Sequence, residues 1–440
     1  MSGHALNFRN HLTAQGGQLA LGHVSCEELA EKYGTPLYVL SEDRIRHNYR
    51  AFHNALTKLY SNVLVCPAYK ANSHLAVGRI YQTEGAGAEV VSSAELKMAL
   101  DCGVEPEKVV YNGPGKKPDD LEFAISSGVG LTNADSLSEI EHMSEIAKRV
   151  KRPCNVGIRV NLGISVETHP HLATAQREHK FGIWVDEALA AYRAAAKMPG
   201  LNVVGMHSHI GSNIAQPQIF REMAAVVLQL AGQVNETAGL KLTKLDMGGG
   251  LGFQYQPDSP AITYEEYASA MLAQNIGVLE RLGKPTLIFE PGRAIVADAG
   301  ILLTKVEVVK RQGDLNWGIV DAGMNTFLRP ALYDAKHRVV AANRASDPTN
   351  VKYSLGGPCC ESADVIAKDV SLPKLTEGDL VAVLDVGAYG FTMSSNYNGQ
   401  LRPAVVLVSK GEGQLIRRRD SYEDLVAAET IPTHLTTRRR

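Results

Sequence analysis

The chain has 440 residues, of which 45% are hydrophobic, and a formal net charge of -2 at pH 7. This length predicts more than one domain, and the near-neutral charge offers no field that would attract nucleic acid or an anionic membrane. We therefore expect a protein that acts on a small-molecule substrate.

The six cysteines show no CxxC spacing, although Cys359 and Cys360 are adjacent. This pattern indicates neither a disulfide framework nor a metal site, and it fits a reducing compartment. The sequence contains no run of about 18 apolar residues and no apolar signal segment near its start. We expect a cytoplasmic protein that binds no metal, no nucleic acid and no membrane.

Short apolar runs alternate with segments of helical periodicity, which is typical of a parallel α/β architecture. Eight runs predict strands at 62–66, 88–91, 109–112, 129–132, 155–160, 203–207, 242–246 and 286–290. The amphipathic segments between them predict helices at 92–101, 118–127, 136–149, 185–197, 218–238 and 264–282. Eight such units predict a closed (β/α)8 barrel of the TIM type over residues 41–295.

After residue 295 the pattern changes to strands with few long helices between them. These runs lie at 301–310, 315–320, 351–355, 380–386, 403–408 and 414–418. They predict a C-terminal β domain over 296–425, followed by a flexible tail over 426–440. Two further runs at 18–21 and 36–39 could contribute to either domain, and we expect residues 1–40 to join the β domain.

Polar side chains stand at or just after the end of nearly every barrel run, and these ends meet at the mouth of a barrel. They are Lys70, Ser92, Glu95, Asn112, Asn133, Arg159, His207, His209, Asp246 and Glu290. Burial at the first of these positions would lower the pKa of the Lys70 amine and free it to form a Schiff base with an aldehyde. A lysine behind a strand is more often simply solvated, so this position alone does not decide the function.

Two glycine-bearing segments follow the seventh and eighth runs: MetGlyGlyGlyLeuGly at 247–252 and GluProGlyArg at 290–293. Barrel enzymes commonly bind phosphate at this place through backbone N–H groups, which glycine allows to approach closely. Each segment could also be an ordinary tight turn. Together with Lys70, the two segments predict a phosphorylated cofactor.

The ordered motifs between residues 25 and 410 resemble diaminopimelate decarboxylase, a fold-type III pyridoxal-phosphate-dependent decarboxylase with an alanine-racemase-like architecture. They are TyrLysAlaAsn (69–72), ValValSerSerAlaGluLeu (90–96), ThrHisProHis through LysPheGlyIle (168–183), HisSerHisIleGlySer (207–212), GlyGlyGlyLeuGly (248–252), GluProGlyArg (290–293), LeuArgProAlaLeuTyrAspAlaLysHis (328–337), GlyProCysCysGluSer (357–362) and GlyAlaTyr through ArgProAla (387–404).

The resemblance implies that pyridoxal 5'-phosphate is held covalently by Lys70, with His209 against the ring face and Glu290 at the pyridine nitrogen. A carboxylate there keeps the nitrogen protonated, so that the ring accepts the electrons left by departing CO2. The implied phosphate ligands are Ser212, Gly248, Gly249, Gly250, Gly292, Arg293 and Tyr389.

By the same resemblance, Cys360 reprotonates the carbanion from the β domain of a partner subunit. The implied catalytic residues are therefore Lys70, His209 and Cys360, and the implied assembly is a homodimer with shared active sites. The implied substrate-binding residues are Arg293, Arg329, Tyr333, Glu361 and Tyr389. Arginine suits a distal carboxylate and Glu361 a distal ammonium, which implies conversion of meso-2,6-diaminopimelate to L-lysine and CO2, the last step of lysine biosynthesis.

The chain departs from the family pattern at Glu89, where Asp is usual, and at Ser93 and Ala94, where two glycines are usual. The alternative function is a related decarboxylase that acts on another diamino acid, a carboxylated polyamine, or a siderophore or antibiotic precursor. Further alternatives are a non-catalytic pyridoxal-phosphate carrier and a degenerate regulatory homologue. The second domain and Cys360 count against the carrier, and the presence of both Lys70 and Cys360 counts against the degenerate homologue.

Overall fold

The computed structural model describes residues 11–164 and 180–435. Most of the motif at 168–183 and the end of the predicted tail lie outside the described residues. The described chain forms two compact units: one holds the residues up to Ser41, Gly300–Val386 and those from Met393 onward, and the other holds Glu42–Ala299 and Gly387–Thr392. Within the described ranges, no helix has the length and apolar character needed to cross a bilayer.

The unit containing Glu42–Ala299 is a barrel of eight parallel strands, which confirms the predicted fold class. The strands are Val63–Val65, Ala88–Val90, Val109–Tyr111, Leu131–Ala134, Cys154–Asn161, Leu201–His207, Lys244–Asp246 and Thr286–Phe289. The eighth strand pairs with the first. The ring closes between its first and second strands, where the N–H of Gly87 donates to Val65 O (2.9 Å) and that of Glu89 donates to Pro67 O (3.1 Å).

Helices precede, connect and follow the strands of the barrel. They are Glu42–Thr57, Leu75–Thr83, Ser93–Asp101, Pro118–Ser127, Leu137–Val150, Val185–Ala195, Pro217–Ala238, Tyr264–Leu272, Ile276–Arg281 and the short Arg293–Val296. The single helix predicted at 264–282 is wrong, because the segment breaks into two. Asn275 Nδ2 donates back to Met271 O (2.8 Å), and such local side-chain bonds compete with the continuing helix.

The barrel interior is a packed apolar core, and Cys66, Val110, Leu131 and Ile288 form one cluster within it. Serine caps fix the helix starts that follow two of the strands. Ser92 Oγ accepts the N–H of Glu95 (3.2 Å) and so begins the helix behind the second strand. The polar residues at the strand ends are therefore held between a rigid core and anchored helix starts.

The other unit is built on a nine-stranded mixed sheet, which confirms the predicted C-terminal β domain. Its strands are Leu37–Ser41, Gly300–Gln312, Leu315–Val320, Val339–Ala341, Val351–Gly356, Val365–Leu372, Leu380–Val383, Ala404–Ser409 and Glu412–Arg417. Leu37–Ser41 lies between Gly300–Gln312 and Ala404–Ser409.

Smaller elements complete this unit. A three-stranded sheet comprises Leu12–Gln15, Gln18–Leu21 and Val24–Ser25, and the α-helices are Cys26–Tyr33, Arg329–Tyr333 and Tyr422–Val426. The strands Val339–Ala341 and Val365–Leu372 were not predicted from the sequence. The second of these is largely solvent-accessible and carries polar residues, so its sequence lacks a continuous apolar run.

Candidate active site

Lys70 lies in a single turn of 3-10 helix, Tyr69–Ala71, directly behind the first barrel strand. Its Nζ lies 2.5 Å from Glu89 Oε2, and 43% of its side chain remains exposed. Burial alone would lower the pKa of the amine, but the facing Glu89 carboxylate outweighs it and raises the pKa above its ordinary value. The expectation of a lowered pKa is therefore wrong, because the next strand supplies a counter-charge.

Asp246, the last residue of the seventh strand, and Glu290, directly after the eighth, are buried and hydrogen-bonded to each other. Burial and the adjacent Glu290 raise the pKa of Asp246 well above its ordinary value. Burial also opposes ionisation of Glu290, yet the neighbouring His207 and Lys70 and the bond from Asp246 lower its pKa. Since two such carboxyl groups do not both ionise, Asp246 holds the proton and Glu290 holds the charge.

Two buried asparagines, at the ends of the third and fourth strands, link these acids. Asn112 Nδ2 donates to Glu290 Oε1 (2.5 Å) and to Glu89 Oε1 (3.2 Å). Asn112 Oδ1 accepts from Asn133 Nδ2 (2.8 Å), which also donates to Asp246 Oδ2 (3.0 Å). The sequence placed both asparagines at the barrel mouth but assigned them no role.

His209 follows the sixth strand, and its Nδ1 accepts the backbone N–H of Gly249 (3.2 Å). Burial lowers the pKa of its imidazole to about 3, with the positive charges of Arg159 and Lys70 acting in the same direction. His209 is therefore a neutral ring whose proton lies on Nε2. A neutral ring packs against an aromatic cofactor without adding a second positive charge to the site.

The backbone leaves no room for a side chain at the three glycines predicted to bind phosphate, Gly248, Gly249 and Gly250. A Cβ on Gly249 would lie 2.2 Å from Glu290 O, and one on Gly250 would lie 2.5 Å from Gly211 O. Gly248 and Gly250 also have φ values of 62° and 102°, which L-residues with side chains rarely adopt. Bare backbone therefore lines this part of the mouth and forms a cradle of the kind that binds phosphate.

Arg293 is a buried cation beside the glycine cradle. Its Nη2 donates to Ser212 Oγ (3.1 Å), and its Nη1 donates to Tyr255 Oη (2.8 Å). Its Cζ lies 5.0 Å from the Tyr389 ring centroid, and a Cβ on Gly292 would lie 3.2 Å from Tyr389 Oη. The structure thus brings the predicted Ser212, Gly292, Arg293 and Tyr389 together. Tyr255 was missed, because nothing in its spacing ties it to Arg293.

The remaining predicted residues belong to the β unit. Arg329 is buried, with its Cζ 5.8 Å from the Tyr333 ring centroid. Cys360 is exposed, and its backbone N–H donates to Asn398 Oδ1 (2.6 Å). Glu361 is also exposed, whereas the adjacent Cys359 is buried.

Related proteins decide the family. Residues 42–297 match the model of the pyridoxal binding domain of pyridoxal-dependent decarboxylases. The diaminopimelate decarboxylase of Methanothermobacter thermautotrophicus is 40% identical over 424 residues, which cover 96% of this chain and 98% of that protein. This chain belongs to the diaminopimelate decarboxylase family.

Two further members of the diaminopimelate decarboxylase family agree. The Pseudomonas aeruginosa enzyme is 42% identical over 412 residues, which cover 93% of this chain and 96% of that protein. The crystal structure of the Methanocaldococcus jannaschii enzyme in complex with L-lysine is 37% identical, covers 97% of this chain and 99% of that chain, and has a TM-score of 0.91. The recognised resemblance is thereby confirmed.

As a diaminopimelate decarboxylase family member, the chain is a carboxy-lyase that uses pyridoxal 5'-phosphate, and its barrel residues fit that cofactor. The glycines leave a backbone-lined cradle that an added Cβ would fill. Arg293 and Ser212 supply donors for a phosphate beside the cradle. The accessible Lys70 amine suits the aldehyde of the cofactor. The buried, ionised Glu290 carboxylate suits a protonated ring nitrogen.

Proposed function

We propose that this protein decarboxylates meso-2,6-diaminopimelate to L-lysine and CO2, the last step of lysine biosynthesis. The observation that carries the proposal is the presence of Lys70 and the ionised Glu290 at one barrel mouth, close enough for each charge to shift the pKa of the other group. Family membership supplies the substrate class, and the Methanocaldococcus jannaschii relative was crystallised with L-lysine.

Each barrel residue has a specific task in this proposal. Lys70 would hold the cofactor covalently, and Glu290 would keep a proton on the pyridine nitrogen. Neutral His209 would pack against the ring. The bound cofactor supplies an electron sink for the carbanion that CO2 leaves behind. Asp246 supports that sink because its proton stabilises the charge on Glu290.

The phosphate would lie on the cradle of Gly248, Gly249, Gly250 and Gly292. Ser212, Arg293 and Tyr389 would bind it from the side. Arg293 is well suited to this because Ser212 and Tyr255 fix its planar guanidinium, so little side-chain entropy remains to be lost on binding. The same arginine could reach a carboxylate of the substrate.

Substrate choice would rest on the β unit. Arg329, with Tyr333 beside its guanidinium, suits the distal carboxylate, and Glu361 suits the distal ammonium. Lysine and ornithine lack the distal carboxylate and would not make this contact with Arg329, which penalises them. Decarboxylation of meso-diaminopimelate is therefore favoured over decarboxylation of simple diamino acids.

We also infer a homodimer in which the Cys360 thiol of each subunit would return a proton to the substrate carbon that loses CO2 in the other subunit's barrel. The exposed thiol, on a backbone held by Asn398, supports this role. Subunits of Lys70→Ala and Cys360→Ala are each expected to be inactive alone. When the two variants are mixed and allowed to reassociate, half of the random dimers contain one subunit of each kind, and each of these has one intact site of its two. The mixture should therefore recover up to about a quarter of wild-type activity. No recovery from demonstrably mixed dimers would contradict the shared site.

A cytoplasmic setting accompanies the proposal. All six cysteines are free thiols, and five of them are buried, which suits a reducing compartment.

The test of the function is CO2 release by the cofactor-loaded protein with meso-diaminopimelate, L-lysine, L-ornithine or L-arginine. Release from meso-diaminopimelate alone, with L-lysine as product and none from Lys70→Ala, is the expected result. Cofactor binding without turnover of any of the four would refute the substrate assignment and indicate a specialised precursor.

A further inference from the structure

One amide group contacts both carboxylates of the cofactor site. The side-chain nitrogen of Asn112 lies 2.5 Å from Glu290 Oε1 and 3.2 Å from Glu89 Oε1. Its two hydrogens are therefore both used, one on each acid. Asn112 is only 4% exposed, so water does not compete for these bonds.

The orientation of this amide is fixed from its other side. Asn112 Oδ1 accepts from Asn133 Nδ2, and that nitrogen also donates to Asp246 Oδ2. A flipped Asn112 would place its oxygen against two carboxylates and its nitrogen against a donor. The hydrogen-bond network therefore permits one orientation, in which the NH2 group faces Glu89 and Glu290.

The length of Glu89 makes this bridge possible. Its Oε2 contacts Lys70 Nζ while its Oε1 accepts from Asn112. A carboxylate one methylene shorter could not keep both contacts without moving the backbone of the second strand.

We propose that Asn112 is a positioning residue that couples the carboxylate paired with Lys70 to the carboxylate that faces the ring nitrogen. The proposal rests on the roles proposed above for Lys70 and Glu290. Asn112 donates to both carboxylates, and it acts by orienting Glu89 and by stabilising the ionised form of Glu290. Hydrogen bonds to charged groups shift an equilibrium by roughly ten- to a hundredfold, so its loss is measurable.

The test compares Asn112→Leu with a matched control, Asn202→Leu. Asn202 Nδ2 also makes an amide–amide bond, to Asn155 Oδ1 (3.2 Å), but on the exposed part of the barrel. The readouts are the Kd of pyridoxal phosphate for the cofactor-free protein and the NMR shift of cofactor labelled at the pyridine nitrogen. Asn112→Leu is expected to raise the Kd roughly ten- to a hundredfold and move the nitrogen toward its unprotonated shift. Asn202→Leu should match the wild type in both.

A double-mutant cycle separates positioning from a general loss of fold. In a Glu290→Gln background the further effect of Asn112→Leu on the Kd should shrink strongly, because its charged acceptor is already gone. If Asn112→Leu does not fold, Asn112→Ser decides: a hydroxyl donates to one acceptor only, so an intermediate loss is expected, and an unchanged Kd overturns the proposal.

The outcomes distinguish the two levels of inference. Wild-type behaviour of Asn112→Leu, with Glu290→Gln impaired, would overturn the role of Asn112 and leave the proposed function intact. If Glu290→Gln matches the wild type in cofactor Kd and nitrogen shift, Glu290 does not act on the ring nitrogen. The proposed coupling of Glu89 to Glu290 through Asn112 is then overturned as well.

Discussion

Gly249→Ala is expected to damage the active site by a purely steric effect. The new Cβ would lie 2.2 Å from Glu290 O and 3.1 Å from its carbonyl carbon, whereas relaxed contacts begin at roughly 3.5 Å. The strand end that carries Glu290 must therefore move by roughly 1 Å. Overpacking of this kind costs about 1–3 kcal/mol of stability. A displacement of that size at a reacting group costs on the order of a hundredfold in kcat/KM.

The assay is CO2 release and cofactor titration, beside a urea unfolding curve for each variant. Gly232→Ala is the matched control, because it lies within the helix Pro217–Ala238 and its Cβ would meet only Leu282 Cδ2, at 3.9 Å. It should retain activity and gain about 0.5–1 kcal/mol of stability. If Gly249→Ala binds the cofactor and turns over as well as Gly232→Ala does, the steric reasoning is refuted.

Three further predictions follow from the described contacts. Burial raises the pKa of Glu95 to about 7, so its contribution to stability is present at low pH and is lost as pH rises through that value. Glu95→Gln should therefore stabilise the cofactor-free protein by on the order of 1–3 kcal/mol near pH 8 and leave it unchanged near pH 4, as read from urea unfolding at both pH values. Tyr255→Phe removes the hydroxyl that accepts a hydrogen bond from Arg293 Nη1 and helps to orient the guanidinium. Pyridoxal phosphate should therefore bind roughly threefold to tenfold more weakly, as measured by titration. The Kd of phosphate-free pyridoxal should not change. Asp298→Asn removes the charge from the ion pair between the buried Asp298 and the partly buried Arg44 (2.7 Å) and should lower the free energy of unfolding by about 2 kcal/mol; a loss under 1 kcal/mol would contradict that pairing's importance.

The sequence predicted most of what depends on local pattern. The apolar runs, such as 203–207, located the barrel strands because a strand buried on both faces needs a continuous apolar segment. The glycines at 248–250 and the lysine after the first run predicted where the proposed cofactor site lies, since strand ends converge in a barrel. The strand Val365–Leu372 was not predicted, because exposed polar side chains interrupt its apolar pattern.

Long-range pairing could not be predicted in the same way. The pKa of Lys70 rises instead of falling because Glu89, 19 residues away, faces it. Tyr255 fixes Arg293 across a separation of 38 residues, which leaves no periodic signal. The link from Asn112 to Glu290 spans 178 residues. Such contacts follow from closure of the barrel and are invisible until the strand order is known.

The place where the barrel closes has a consequence for how the protein comes apart. The bonds from Gly87 to Val65 and from Glu89 to Pro67 complete the ring, and the same segments carry the Lys70–Glu89 ion pair. Parting this junction would expose two unpaired strand edges and separate the lysine from its carboxylate in a single event. A ligand attached to Lys70 and held across the mouth stabilises the closed ring by mass action. Release of the cofactor should therefore be an early sign of barrel opening, ahead of bulk unfolding.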